Sequence, residues 1–234
     1  FRLRASLPTL KFLLAANAKI VIISHRGRPR SRRDESTLSL RPVIPFLERN
    51  LGRRVRFISK FDSESAQKKI SAAPAKSIFL IENLRFNPGE ETNDSRLAEK
   101  LSGLGDFFVN DAFSVSHREN ASVVNLPRLM PSVAGLLTER EMFGLVDFIE
   151  NHAARLVVIL GGAKASDKIG VLERFLPRAK RILLGGVPAN TFLRAKGLDI
   201  GKSIVDSKLL PIAKKLLSRK NIVLPVDFAS HEGK

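Results

Sequence analysis

The sequence predicts an α/β fold with parallel sheets, laid out as two successive alternating units. Three observations carry this expectation. Apolar runs without polar alternation occur at Lys19–Ser24 (Lys-Ile-Val-Ile-Ile-Ser), Ser77–Glu82 (Ser-Ile-Phe-Leu-Ile-Glu) and Leu156–Leu160 (Leu-Val-Val-Ile-Leu). Short, unbroken runs rich in β-branched residues suit strands covered on both faces, as in a parallel sheet. Helical patterns lie between the runs and the connections are short, which is the βαβ signature. The alternation then restarts at Leu156, after a long helical stripe.

Taken in order, Ser6 caps a first helix, with Pro8 in its first turn and Leu10, Leu13 and Leu14 as its stripe to about Asn17. Lys19–Ser24 is a buried strand and His25–Ser39 a basic, polar loop. Arg41–Leu51 is a helix stopped at Gly52, Val55–Ser59 a short strand, and Ser63–Ala73 a polar helix. Ser77–Glu82 is a buried strand that runs into the loop Asn83–Asn93, and Asp94–Leu104 is a helix. Asp106–Asn110 is a strand, followed by a loop that carries Asp111, His117 and Arg118.

From Thr138 to Asn151 a helix is expected, with Thr138 as its cap and Glu141 at the third position after it. Met142, Leu145, Val146 and Ile149 form its apolar stripe. The second unit reads as strand 156–160, helix 167–176, strand 181–184, Gly185-Gly186, helix 189–196, helix 207–218 and strand 222–225. The restart of the alternation places a domain boundary in or beside helix 138–151, with 1–137 on one side and 152–234 on the other.

At 44% apolar content, the 234 residues can build a real core. Cysteine is absent, which excludes disulfides, Cys-based metal sites and a Cys nucleophile, and fits a reducing compartment. No apolar run approaches the length of a membrane span, and no secretory signal pattern opens the chain. The first residue is Phe1, set close to a helix, so a fragment is expected.

The net charge is +17, with arginine clusters at 26–33 and 53–56. Such a balance favours polyanions: phosphorylated metabolites, nucleotides or nucleic acid. Tyr and Trp are absent and the Phe residues sit mostly in apolar runs, so stacking platforms for bases are not evident. A small-phosphate site therefore ranks above nucleic acid.

Two places can hold phosphate. Gly161 and Gly162 follow the Leu156–Leu160 strand at once, then Ala163 and Lys164, with Ser166 and Asp167 as caps for a helix beginning near Lys168. A strand, glycine turn and helix start can present N–H groups to an anion. Lys164 and Lys168 can add two ammonium groups; the alternative is a plain βα turn with two solvated lysines. The spacing is neither a Walker A loop nor a Gly-x-Gly-x-x-Gly fingerprint.

The second place is the carboxyl edge of the first sheet, where parallel sheets bind ligands. His25 and Arg28 follow one strand, Asn83 and Arg85 the next, Asp111 and Arg118 a third. Singly each arginine reads as solvated; together they make a site for a multiply charged anion. No hydrolase elbow is visible, and His25, His117, His152 and His231 lack metal-ligand spacing. His152 and His231 read as surface residues and Glu90/Glu91 as a solvated turn; Asp227 is either a helix cap or a polar site group. Phosphoryl transfer fits this set, because it needs positioning and cationic groups more than a nucleophilic side chain.

Several stretches together resemble phosphoglycerate kinase: Arg2-Leu-Arg-Ala-Ser-Leu-Pro, Ser24-His-Arg-Gly-Arg-Pro, Leu80-Ile-Glu-Asn-Leu-Arg-Phe and Val109-Asn-Asp-Ala-Phe. Others are Ser116-His-Arg, Ile159-Leu-Gly-Gly-Ala-Lys-Ala-Ser-Asp-Lys, Asn190-Thr-Phe-Leu and Leu224-Pro-Val-Asp. Their order matches the family over essentially the whole chain. The resemblance implies two Rossmann-like, three-layer αβα domains, the second incomplete, joined by a hinge helix at 138–151. It also implies reversible phosphoryl transfer between 1,3-bisphosphoglycerate and ADP, giving 3-phosphoglycerate and ATP in glycolysis, with Mg2+ on the nucleotide.

Carried over by position, Arg2 matches the arginine that stabilises the transferring phosphoryl group. His25, Arg26, Gly27, Arg28, Arg85 and Arg118, with Arg2, match the phosphoglycerate site. Gly161, Gly162, Ala163, Lys164 and Lys168 match the nucleotide side, Lys168 being the lysine that follows the phosphate. The family implies a cytoplasmic monomer whose hinge bending excludes water during transfer.

Departures are Arg26 in place of a small aliphatic residue, Ser114-Val115-Ser116 in place of Gly-Thr-Ala, and Gly185-Gly186-Val187-Pro188 in place of three glycines. The Pro also removes a backbone donor. The family's Asp-x-Asn motif ahead of Arg2 and the later Asn-Gly-Pro and Gly-Gly-Gly-Asp-Thr segments are not in the sequence, so the chain is expected not to turn over alone. The rival readings are a truncated relic without activity and a basic polyanion binder.

Overall fold

The computed structural model describes residues 1–31, 34–62, 64–151 and 155–228, apart from the side chains of Phe148, Asn151 and Asp167. The chain divides into two compact units, Phe1–Met142 and Phe143–Lys234.

The first unit runs α1 (Arg2–Ala5), α2 (Leu7–Ala15), β1 (Ile20–Ile22), α3 (Asp34–Leu38), α4 (Ile44–Leu51), β2 (Val55–Ile58), α5 (Glu64–Ser71) and β3 (Ile78–Ile81). It continues with α6 (Ser95–Ser102), β4 (Phe108–Asn110), α7 (Leu126–Leu129) and β5 (Ser132–Ala134), and α8 (Leu136–Asn151) follows. β3 lies between β1 and β2, parallel to both, with Ile78 in register with Ile20 and Val55. β4 and β5 form a separate parallel pair.

β3 is buried throughout, and its period-two alternation feeds two cores. Phe79 and Ile81 pack with Ile70, Leu97, Leu101 and Leu126 of α5, α6 and α7. Ile78 and Leu80 pack with Leu10, Leu14 and Leu47 of α2 and α4. Helices therefore cover both faces of this sheet, as an unalternated apolar run requires. Helix α4 ends on Gly52 at φ 64°, the left-handed stop expected of that glycine.

The second unit holds β6 (Val157–Leu160), α9 (Ile169–Phe175), β7 (Arg181–Leu184), α10 (Gly186–Ala195), α11 (Leu210–Leu216) and β8 (Ile222–Val223). The strand order is β6-β7-β8, again parallel. Leu160, Leu172, Ile182, Leu184, Phe192 and Ala213 form its core. One sequence expectation is overturned here. The Leu156–Leu160 run was expected to be covered on both faces, yet Val157 and Ile159 are 48% and 76% exposed. β6 is an edge strand, and α9, α10 and α11 pack on the Leu160 face.

Other differences have local causes. The loop His25–Ser39 contains α3, whose start is fixed by Asp34 Oδ2 accepting from the N–H groups of Arg30 and Ser31. Neither α7 nor β5 is signalled by the sequence: α7 is a four-residue turn of helix, too short for a stripe, and all of β5 is exposed and carries no apolar alternation. Ser6 does not cap α2; its hydroxyl donates to the Leu3 carbonyl. Thr138 is not the cap of α8, which starts two residues earlier at Leu136. The α8 stripe has helical spacing, but Met142, Leu145 and Val146 are exposed. No described helix is long and apolar enough to cross a membrane.

Candidate functional site

The first unit gathers its cations where β1, β3 and β4 end. Asn83, wholly buried just after β3, organises the backbone there. Its Oδ1 accepts from the N–H groups of Arg26 and Arg85, both at 3.2 Å. Its Nδ2 donates to the carbonyls of Arg26 at 2.7 Å and Leu38 at 3.0 Å. One amide thus ties the loop after β1 to the loop after β3. Glu82 adds to this clamp, accepting from Ser39 Oγ at 2.7 Å and from the N–H groups of Leu40 and Asn83 at 2.8 Å. Gly27 turns at φ 60°, and a Cβ there would meet Leu38 Cδ2 at 2.6 Å.

Arg85 donates from Nη1 to the Gly27 carbonyl, so the second strand end grips the first. Its Nε lies 3.1 Å from Glu91 Oε1, and its side chain is 5% exposed. That contact is an ion pair without hydrogen-bond alignment: Arg85 Nε and Nη2 are buried with no hydrogen-bond partner. Arg118 Nε, on the loop after β4, is likewise buried and without a partner. Buried donors are normally paired, so orphaned guanidinium N–H groups mark a place prepared for acceptors.

The field at His25 shows that these groups share a neighbourhood. Burial pushes the His25 imidazole below its ordinary pKa, and the Arg85 guanidinium adds to the shift. Glu90 opposes it, while Arg118 and Arg2 push the same way as Arg85. Arg2 itself is exposed, on α1. Arg28 is exposed and influences Arg85 electrostatically. Arg26 is also exposed, and its Nη1 turns to the Ser39 carbonyl at 3.2 Å. His117 is exposed. Asp111, expected at this edge, instead receives the N–H groups of α8.

Glu90/Glu91 is not a solvated turn. Glu90 is 2% exposed and accepts from Asn120 Nδ2, Ser122 Oγ and Ser122 N–H. The sequence offered no signal for this, because its partners lie 30 and 32 residues away.

In the second unit two glycine turns lock together. Gly185 N–H donates to the Leu160 carbonyl at 2.8 Å and Val187 N–H to the Gly162 carbonyl at 3.1 Å. Gly162 sits at φ 121° and Gly186 at φ 55°; a Cβ on Gly186 would lie 3.0 Å from the Gly162 oxygen. Pro188 falls in the first turn of α10, where a missing N–H forfeits no helical bond. Ser166 is not a helix cap: Ser166–Lys168 is a 3₁₀ turn, and the Ser166 N–H donates to Asp206 Oδ2 at 2.6 Å. That bond is the main cause that holds the Asp206 carboxyl below the usual range. Lys164 and Lys168 are exposed, with no ion pair among the described residues.

The residues 32–33, His152, His231 and the Asp167 side chain lie outside the described set, as does the stretch following Phe228. Asp227 Oδ1 accepts from the Phe228 N–H at 2.7 Å, and no described helix follows it.

The phosphoglycerate kinase family model matches residues 1–233. Phosphoglycerate kinase of Thermomicrobium roseum is 46% identical over 216 residues, covering 92% of this chain and 55% of that protein. That of Thermus thermophilus is 43% identical over 238 residues, covering 99% of this chain and 60% of that protein. The crystal structure of phosphoglycerate kinase from Pyrococcus horikoshii superimposes with a TM-score of 0.84 at 32% identity, over 100% of this chain and 62% of that one. The Coxiella burnetii structure gives 0.76 at 35% identity, over 94% and 57%. The chain thus spans 55–60% of the length of these curated relatives. With the family model matched over residues 1–233 and both folds alike, the chain belongs to the phosphoglycerate kinase family.

Proposed function

We propose that this protein serves the phosphoglycerate kinase reaction, phosphoryl transfer between 1,3-bisphosphoglycerate and ADP, in the cytoplasm. The first unit is the part that holds the phosphoglycerate. The observation that carries this reading is the set of buried, unpartnered donors, Arg85 Nη2 and Arg118 Nε, gathered with His25 and Arg2 in one field. Guanidinium groups suit phosphate and carboxylate oxygens alike, and both belong to 3-phosphoglycerate. Arg26 and Arg28 enlarge the cationic rim from the loop that Asn83 holds.

Lys164 and Lys168 supply positive charge for nucleotide phosphates beside the Gly161-Gly162-Ala163 turn. Their exposure fits that role, since a solvated ammonium is free to meet a phosphate. Among the described residues no three His, Cys, Asp or Glu side chains gather to hold a metal. The described side chains offer cations for phosphates, and Mg2+, which takes most of its ligands from phosphates and water, would need only one or two carboxylates from the protein. Transfer then rests on positioning and on charge stabilisation, with Arg2 and Lys168 in the family's catalytic positions.

Calorimetric titration with 3-phosphoglycerate tests the first half of the reading. We expect binding that weakens with salt. Arg118→Ala should weaken it by about tenfold or more, the loss of one charge-assisted hydrogen bond. Equal affinity in wild type, R118A and Arg85→Ala would sink it.

A further inference from the structure

Glu90 is a buried carboxylate with no assigned part in the reaction, on the loop of Arg85 and bonded to the loop of Arg118. It closes the 3₁₀ turn Pro88–Glu90, five residues beyond Arg85 and next to Glu91, the ion-pair partner of Arg85. Its Oε1 accepts from Ser122 Oγ at 2.6 Å and Asn120 Nδ2 at 3.2 Å, and its Oε2 from Ser122 N–H at 3.1 Å. Its backbone carbonyl accepts from Ala121 N–H at 2.9 Å. Residues 120–122 are therefore pinned to Glu90 from both side chain and main chain, starting two residues after Arg118.

Arg118 donates its N–H to the Val115 carbonyl within its own turn, and its Nε has no partner. The fastening at residues 120–122 lies two residues from Arg118 and ties its loop to the loop of Arg85. Every side-chain partner of Glu90 here is a donor, and a carboxylate is the side chain that only accepts.

We propose that Glu90 is a positioning residue for the anion site, holding the loop of Arg118 against the loop of Arg85 so that both guanidinium groups meet one phosphorylated carboxylate ligand. This rests on the phosphoglycerate reading above. Glu90 touches no ligand itself. Its charge also sits within the field of His25, where it partly offsets the surrounding arginines.

The test compares wild type with Glu90→Leu and Glu90→Gln. Leucine keeps bulk and removes every acceptor. Glutamine keeps the hydrogen bonds once the Asn120 amide and Ser122 hydroxyl reverse, because both can donate or accept. Two readouts are taken: the arginine Nε–H resonances of the ligand-free protein by NMR, and calorimetric affinity for 3-phosphoglycerate. E90L should displace the Arg118 Nε–H resonance and weaken binding by about tenfold, as for one lost charge-assisted bond. E90Q should restore the resonance and most of the affinity.

An E90L protein with wild-type Arg118 resonance and affinity overturns the proposal, even if it melts earlier, because a merely structural role would lower stability alone. If E90L does not fold, Glu90→Asp, one methylene shorter, takes its place with the same criteria. If wild type fails to bind 3-phosphoglycerate while the variants still displace Arg118, the substrate reading falls and the positioning role stands.

Discussion

Asp111 Oδ1 lies 2.9 Å from the backbone nitrogen of Leu137 and accepts its N–H, capping α8 from 26 residues away in sequence. The same oxygen accepts from Thr138 N–H at 3.4 Å, and Thr9 Oγ1 accepts from Leu136 N–H at 3.0 Å. The first N–H groups of α8 are thus satisfied by the loop after β4 and by α2, not by a local cap. Asp111→Ala should cost about 1–2 kcal/mol, the usual worth of an N-cap. Hydrogen exchange at Leu137 and Thr138 measures it; unchanged protection would remove Asp111 from this role.

Asn83→Ala should loosen the site more than the fold. It strands the Arg26 and Arg85 N–H groups and the Arg26 and Leu38 carbonyls, of which water can reach some. The expected cost is roughly 1–3 kcal/mol, as for buried groups left unmade. Affinity for 3-phosphoglycerate should fall along with stability, since the loop bearing Arg26 and Arg28 loses its anchor. Full affinity in N83A would contradict this.

His25 gives the first unit a pH dependence of fixed sign. Burial and the neighbouring guanidinium groups lower its folded pKa below the unfolded value of about 6.5. The unfolded chain then binds more protons between the two values, so stability rises with pH across that window. Lowering the pH through about 6.5 should reduce stability, and the loss should level off below the folded pKa. Melting temperatures of wild type and His25→Gln, compared from about pH 5 to 8, should show a shallower slope in the variant. Parallel curves would refute the assignment.

Gly186→Ala should destabilise the second unit. The residue stands at φ 55° and its new Cβ would press on the Gly162 carbonyl oxygen. Left-handed geometry alone costs a non-glycine residue about 1–2 kcal/mol. Amide exchange in β6 and β7 should accelerate while β3 stays protected. Faster exchange in both units together would mean that the glycine turns are not the local cause.

Lys164→Ala and Lys168→Ala should each weaken ADP binding, with the effect shrinking as salt rises, because both lysines are exposed. Neutralising Arg2 or Lys168 in a chain of full family length should lower kcat far more than it raises KM. A Lys168→Ala variant with normal kcat would take Lys168 out of the transfer step.

Much of this protein was legible in its residues. The run Ile78–Ile81 points to a central parallel strand, because β-branched and apolar residues without alternation suit a strand covered on both faces, and here both faces are covered. Gly52, Asp94 and Gly186 mark turns through their own backbone or side-chain chemistry, as Asp94 does by accepting from Leu97 N–H at 2.8 Å. The sequence also named the cations: His25, Arg85 and Arg118 follow strand ends, Arg2 stands on the first helix, and family motifs surround them.

Only the tertiary structure decided how those cations are held and which helix ends are capped. Asp111, Glu90, Asn83 and Asp206 all act on backbone or side chains brought in from distant segments. A short-range pattern cannot report a partner 26 to 57 residues away. It also cannot report that the Leu160 face of β6 is packed while Ile159 stands 76% exposed. Periodicity fixes which side chains share a face; packing alone determines whether anything covers it.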